Sequence, residues 1–330
     1  MKKALITGVN GQDGSYLAEL LLEKGYVVHG LIRRTSEPLM DKISHLKDKV
    51  VLHHGDMTDS SSIHSVIQNT QPDEIYNLAA MSHVGWSFKN PEYTFDVNTQ
   101  GLVRIIEAVR TLDLNPKIYQ ACSSEMFGKV QEVPQKESTS FYPRSPYGAS
   151  KTAAYHVARV YREAYGLKIY CGILFNHESE RRGEEFLSRK VCKTVGQITR
   201  GKAKMLSIGN MDAKRDWGYA KEYVEWIYNI VQQDTPDDFV IATNEQHSVR
   251  EWIEEAFACA GMHLYWQGTG LNERGYDQND QLRVMVNRQF YRPAEVDTLI
   301  GDYTKSKEVL GFEPKVKFQE LVEIMTNAEL

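Results

Sequence analysis

Lys3-Ala4-Leu5-Ile6-Thr7-Gly8-Val9-Asn10-Gly11-Gln12-Asp13-Gly14-Ser15 is the stretch whose reading decides the fold. Lys3 to Thr7 reads as a short strand. Ser15 then reads as the cap of a helix whose apolar residues Leu17, Leu20 and Leu21 recur at helical spacing. Between them Gly8-x-x-Gly11-x-x-Gly14 is a variant of the dinucleotide turn. Glycines let backbone amides approach a pyrophosphate, and the helix N-terminus favours the anion. The strand before and the helix after supply the context the motif needs.

Further strands extend the pattern. Val27 to Ile32 reads as a second strand ending in Arg33-Arg34-Thr35-Ser36, where an NAD-selective site would carry an acidic residue. Two guanidiniums suit a 2′-phosphate, so NADP is expected; the alternative is a solvated basic loop. Val50 to His54 is a third strand, with Asp56 placed for an adenine amino group and Asp59 or Ser60 capping a helix from Ser61 to Gln68. Glu74 to Leu78 is a fourth strand, followed by the small residues Ala79 and Ala80, Ser82 and His83. Interior Asn77 is expected to tie loops together. A single long helix is predicted from Pro91 to Arg110, then a fifth strand from Lys117 to Ala121. Strands alternating with helices predict an α/β fold, a Rossmann-type doubly wound parallel sheet binding ligands across the carboxyl ends of its strands.

Chemistry gathers at two places on that edge. Tyr147 and Lys151 stand four apart at the start of an apolar-periodic helix from Tyr147 to Tyr165, hence on one face. An ammonium beside a phenol favours the phenolate, so Tyr147 is expected to have a lowered pKa and to take a proton from an alcohol. Ser123 would hydrogen-bond the reacting hydroxyl, and Glu125 would place a carboxylate beside the same substrate.

Composition narrows the class. The chain has 330 residues, 42% hydrophobic and 25% charged, and a net charge of -5, which argues against nucleic acid or an anionic membrane as partner. The apolar run Ala4 to Ile6 is too short for a signal-peptide core, and a cytoplasmic protein is expected. Cys122, Cys171, Cys192 and Cys259 are scattered without a Cys-x-x-Cys, which fits a reduced compartment and no metal.

The chain resembles the extended short-chain dehydrogenases/reductases and, within them, the GDP-mannose 4,6-dehydratases. The resemblance rests on the glycine turn with Ser15-Tyr16-Leu17, Pro91-Glu92-Tyr93-Thr94, Ser124-Glu125-Met126-Phe127-Gly128, and Phe141 to Tyr147. It is extended by Gly172 to Ser179, Arg215-Asp216-Trp217-Gly218 and Phe290 to Val296. It implies that Glu125 is the base, Tyr147 the phenolate, Lys151 its activator, and Ser123 the stand-in for the family's usual threonine. It implies that Tyr93, His177 and Arg182 join the turn (Gly8, Asn10, Gly11, Gln12, Asp13, Gly14), Arg33, Arg34, Asp56, Met57, Leu78, Ala79, Ala80 and Ser82 in holding NADP. Ser82, Asn176, Lys190, Arg215, Arg292 and Glu295 would hold the GDP-sugar. The implied reaction is dehydration of GDP-mannose, with another GDP-sugar (a heptose or N-acetylhexosamine) as the alternative, in a homotetramer or dimer. Cys122 and Asn287 depart from the family's common serine and aspartate, and the segment after Arg34 is short.

The remainder is expected to complete two domains. Residues 1–174 with a returning segment at 213–243 would bind NADP, and 175–212 with 244–330 would bind the nucleotide-sugar. Phe186 to Gly201 and Val249 to Ala260 read as helices, the second capped by Ser248, and Phe239 to Ala242 as a strand rejoining the main sheet. Gln267 to Gln281, polar and without apolar period, reads as a mobile loop.

Overall fold

The computed structural model describes residues 1–36, 40–292 and 294–330. Pro293 of the Phe290 to Val296 motif lies outside the described residues.

Seven strands form the central sheet: β1 (Lys3–Thr7), β2 (Val27–Ile32), β3 (Val50–His54), β4 (Glu74–Asn77), β5 (Lys117–Ser123), β6 (Ile169–Leu174) and β7 (Asp238–Ile241). Their spatial order is β7-β6-β5-β4-β1-β2-β3, and every neighbouring pair is parallel. Sheets covered on both faces need strands apolar on both faces, which is why β6 reads Ile-Tyr-Cys-Gly-Ile-Leu and is buried throughout. Helices α1 (Gln12–Glu23), α2 (Ser60–Thr70), α3 (Gly101–Thr111), α4 (Pro146–Tyr165), α5 (Leu187–Thr199), α6 (Ala220–Gln232), α7 (Val249–Cys259) and α8 (Phe318–Asn327) complete the main elements. One core face is built by α2, α3 and α4 residues such as Ile67, Ile106 and Ala158, and the other by α1 and α6 residues such as Leu17 and Ile227. A third cluster joins α5, α7 and α8 through Val195, Trp252 and Leu321.

Strand order reverses between β1 and β4, the point where an open α/β sheet parts to admit a ligand. A polar relay ties the parting together. The Thr7 hydroxyl donates to Asn77 Oδ1 at 2.8 Å and accepts from the Leu78 and Ala79 amides, while Asn77 Nδ2 donates to Gln120 Oε1 at 2.7 Å.

Three expectations are corrected. Helix α1 starts at Gln12, not Ser15: Gly11 is its N-cap, without a side-chain bond, and the Ser15 hydroxyl donates back to the Gln12 carbonyl. The Pro91 to Arg110 helix is broken into Pro91–Phe95, a π-turn at Asp96–Gln100, and α3. There Asn98 bonds Met81 N and Met81 O, a tertiary demand that helical periodicity does not record. The segment read as a mobile loop contains strand Arg274–Tyr276, paired antiparallel with Tyr265–Gln267 and Leu282–Val286. Arg274–Tyr276 is too short to show an alternation, and Gly275 lies so close to its neighbours that a Cβ there would meet Trp266 at 2.9 Å and Val284 at 3.1 Å.

Gly14 is the least replaceable residue of the first turn, because a Cβ there would lie 2.3 Å from the Gly8 carbonyl oxygen. Gly14→Ala is expected to lower stability by about 1–3 kcal/mol, the usual cost of overpacking. A thermal midpoint equal to that of the parent would contradict it.

Candidate active site

The turn between β1 and α1 makes a cradle. Gly8 has φ +71°, and a Cβ on it would touch the Ala79 backbone at 3.0 Å, so the turn lies against the end of β4 only because it lacks side chains. The amides of α1's first turn have no side-chain cap, and with the helix dipole they favour an anion. At the ends of β2 and β3, Arg33, Arg34, His54 and Asp56 line a hollow. Amides for a pyrophosphate beside guanidiniums at a neighbouring strand end fit a nicotinamide dinucleotide.

Several side chains assigned to the cofactor are engaged with each other. Gln12 Nε2 donates to the His177 carbonyl at 3.1 Å, and the Ser179 hydroxyl donates to Gln12 Oε1 at 2.8 Å. His177 Nε2 donates to Asp13 Oδ2 at 2.9 Å and Nδ1 to the Phe175 carbonyl at 2.8 Å. Only an imidazolium donates from both nitrogens. Burial alone lowers the His177 pKa, but the Asp13 carboxylate outweighs it and the net shift is upward. Burial works to raise Asp13, yet the His177 charge and hydrogen bonds hold it down at about 2. Arg33 Nη1 donates to the Tyr93 hydroxyl at 2.7 Å, Asp56 Oδ1 accepts from Thr58, and Arg182 pairs with Glu178 over the Phe186 ring. The Met57 carbonyl accepts from Arg104, and Ser82 is exposed.

Around the candidate catalytic residues, Ser145 caps α4 by accepting from the Gly148 amide at 3.0 Å, with Pro146 in the first turn. Tyr147 and Lys151 follow one turn apart, both buried. Lys151 Nζ donates to the Ala121 carbonyl at 2.8 Å and lies 6.0 Å from the Tyr147 ring centroid. The expected lowering of the phenol pKa is not what the protein alone produces. Burial pushes Tyr147 up to about 12; its Ser123 hydrogen bond opposes this and the Glu125 charge adds to it. Burial lowers Lys151 to about 8, which leaves it mostly charged at neutral pH. Burial thus works against the phenolate, and added positive charge beside the ring would favour it.

Ser123 ends β5, two residues beyond the expected strand, and its hydroxyl accepts from the Glu125 amide at 3.2 Å. Glu125 sits in the 3₁₀ turn Ser124–Met126, packed on α4 so closely that a Cβ on Gly148 would be 2.6 Å from the Glu125 carbonyl oxygen. Serine, carboxylate and phenol thus converge. Arg292 Nη1 reaches Glu125 Oε1 at 3.4 Å and Glu295 Oε1 at 3.6 Å, while Arg215 Nη2 reaches Glu295 Oε1 at 3.3 Å. Burial lowers the Arg215 pKa, with Glu125 and Glu295 opposing. Of the other residues expected to hold the nucleotide-sugar, Lys190 donates to the Ser207 carbonyl over the Phe290 ring, and Asn176 pairs with Trp217 in a two-stranded ladder.

Sequence reasoning missed a clamp under the reaction centre. Asn98 Nδ2 donates to the Ser150 hydroxyl, which donates to the Tyr147 carbonyl, and the Thr99 hydroxyl donates to the Ser150 carbonyl. The available signal was buried Asn98 inside a segment read only for its apolar period. Among the described residues no helix is long and apolar enough to cross a membrane, and no group of three or more acidic, His or Cys side chains is placed to hold a metal.

A family profile described as GDP-mannose 4,6 dehydratase matches residues 5–325. The chain is 51% identical over 338 residues to the human GDP-mannose 4,6 dehydratase, covering 99% of this chain and 91% of that protein. It is 48% identical over 349 residues to the Vibrio cholerae GDP-mannose 4,6-dehydratase, covering 100% and 94%. Among solved structures, dTDP-glucose 4,6-dehydratase from Bacillus anthracis with NAD superposes with TM-score 0.82 at 20% identity, covering 99% of this chain and 96% of that one. RMD from Pseudomonas aeruginosa with NADPH gives TM-score 0.78 at 17% identity, covering 100% and 99%. These structural likenesses concern the fold.

The Asp13–His177 pair gives stability a pH signature. His177, raised above its ordinary 6.5, contributes stability fully present below that value and lost as pH rises through the folded pKa. Asp13, held at about 2, contributes stability present above its ordinary 3.8 and lost as pH falls toward 2. The gap in thermal midpoint between the parent and Asp13→Asn is expected to be widest between about pH 4 and 6.5. A gap independent of pH would contradict the ion pair.

Proposed function

The chain belongs to the GDP-mannose 4,6-dehydratase family, and from that premise we propose that it converts GDP-mannose to GDP-4-keto-6-deoxymannose, with NADP as its internal redox partner. The observation that carries this is Glu125, packed through Gly148 against the helix turn of Tyr147 and Lys151. Moving a hydride at one carbon has no use for that carboxylate. Eliminating water does, because a base must remove a C–H proton.

Tyr147, with Lys151 behind it and Ser123 bonded to it, takes the proton of the sugar C4 hydroxyl. When bound, NADP supplies the acceptor for the C4 hydride, its donor to C6, and a positive ring charge that favours the Tyr147 phenolate. The resulting C4 ketone acidifies the C5 hydrogen. Glu125 removes that proton and passes it to the departing C6 hydroxyl, so water leaves. The proton held by Tyr147 returns to solvent while one from solvent reaches C5, and the balance closes on loss of one water.

Turnover in deuterated water is expected to place deuterium at C5, and Glu125→Gln to lower turnover about 10²–10⁴-fold, the usual weight of a general base. Product without deuterium, or a fully active variant, would remove Glu125 from this role. For the cofactor, replacing Arg33 and Arg34 by alanine is expected to weaken NADP binding about tenfold or more and to leave NAD binding nearly unchanged. Equal losses for both cofactors, measured by calorimetry, would contradict the NADP preference.

A further inference from the structure

A proton-abstracting carboxylate needs a free oxygen, and Glu125 is partly claimed already. Its side chain is only 8% exposed; Oε2 has no hydrogen-bond partner, and Oε1 faces Arg292 Nη1 at 3.4 Å. The same nitrogen is 3.6 Å from Glu295 Oε1, so one guanidinium straddles two carboxylates at long range.

The two arginines of this cluster differ. Arg215 is 8% exposed and anchored, its Nη1 donating to the Lys214 carbonyl at 2.9 Å and its Nη2 to Glu295 Oε1 at 3.3 Å. Arg292 is 31% exposed and stands on irregular chain just past the turn Arg288–Phe290. If Arg292 moves, Glu295 keeps Arg215 at 3.3 Å, while Glu125 gives up the guanidinium 3.4 Å from Oε1 and keeps only the longer-range charge of Arg215. A diphosphate offers a guanidinium fork more charge and better geometry than two carboxylate contacts beyond 3.3 Å.

We propose that Arg292 exchanges partners, from Glu125 in the nucleotide-free enzyme to the diphosphate of an incoming nucleoside diphosphate sugar. Nucleotide binding then removes the guanidinium paired with Oε1 and frees both carboxylate oxygens for the sugar. While the Arg292 guanidinium stands at Oε1 it occupies the side of the carboxylate that a sugar would approach, so the base is armed only when nucleotide is seated. Arg292 is here a positioning residue for Glu125 as well as a contact of the nucleotide. The role of Glu125 rests on the dehydratase reading; the exchange itself is a property of nucleotide binding.

The test is a double-mutant cycle in affinity for GDP, which carries the diphosphate and no sugar, measured by calorimetry on the NADP-loaded protein. Glu125→Gln is expected to bind GDP about three- to tenfold tighter than the parent, since no ion pair must be broken. Arg292→Gln should bind more weakly, and adding Glu125→Gln to it should give no gain. A gain that survives without Arg292 would mean simple removal of negative charge, and no gain in the parent background would mean no pairing; either overturns the exchange. Should Arg292→Gln fail to fold, Glu125→Asp serves instead. It keeps the charge but draws the carboxylate away from Arg292, so GDP should again bind tighter, and unchanged affinity overturns the proposal. A Glu125→Gln enzyme that still dehydrates GDP-mannose would remove the dehydratase role while leaving the affinity cycle to stand or fall separately.

Discussion

The cleft depends on the parting of β1 from β4, and one hydroxyl holds both sides of it. Thr7 donates to Asn77 and accepts from the Leu78 and Ala79 amides, so the ends of β1 and β4 stay in register where their chains diverge. From that fixed point the glycine turn runs over Ala79, with Gly8 close enough to its backbone that no side chain fits. On the other side Asn77 bonds Gln120 in β5, the strand that ends at Ser123 and leads into Glu125. Cofactor cradle and reacting groups are positioned by one relay of buried polar groups, each satisfied, as burial requires.

Charge is the second organising element. Four carboxylates of the cleft have a cationic partner: Asp13 with His177, Glu178 with Arg182, Glu295 with Arg215, Glu125 with Arg292. The first two lock the glycine turn and the segment after β6, and serve the site by shape. The last two couple Glu125, the proposed base, to arginines whose guanidiniums suit a diphosphate. Tyr147 and Lys151 differ again, since burial holds the phenol near 12 and the amine near 8, a phenol poised for an added positive charge rather than already ionised.

Local rules made much of this legible in the amino-acid order. The strand, glycine turn and helix at Lys3 to Glu23, the capping of α2 by Asp59 and of α7 by Ser248, and the pairing of Tyr147 with Lys151 on one helical turn depend on neighbours within a few residues. The π-turn at Asp96–Gln100 did not announce itself, because it answers to Met81 and Ser150, far away in the chain. The strand Arg274–Tyr276, inside the segment expected as a loop, was hidden for another reason: three residues are too few to show an alternation.

By itself the sequence determined the fold class and the family and nominated candidate reacting groups, because turn chemistry, helical period and motif spacing are written within short windows. Only the tertiary structure decided which charges meet. Glu125 and Arg292 are 167 positions apart and Asp13 and His177 are 164 apart, and such contacts arise from the packing of whole layers. Ionisation followed the same division. Spacing puts Lys151 one turn from Tyr147, but burial, a property of the folded whole, sets the direction of the phenol's shift.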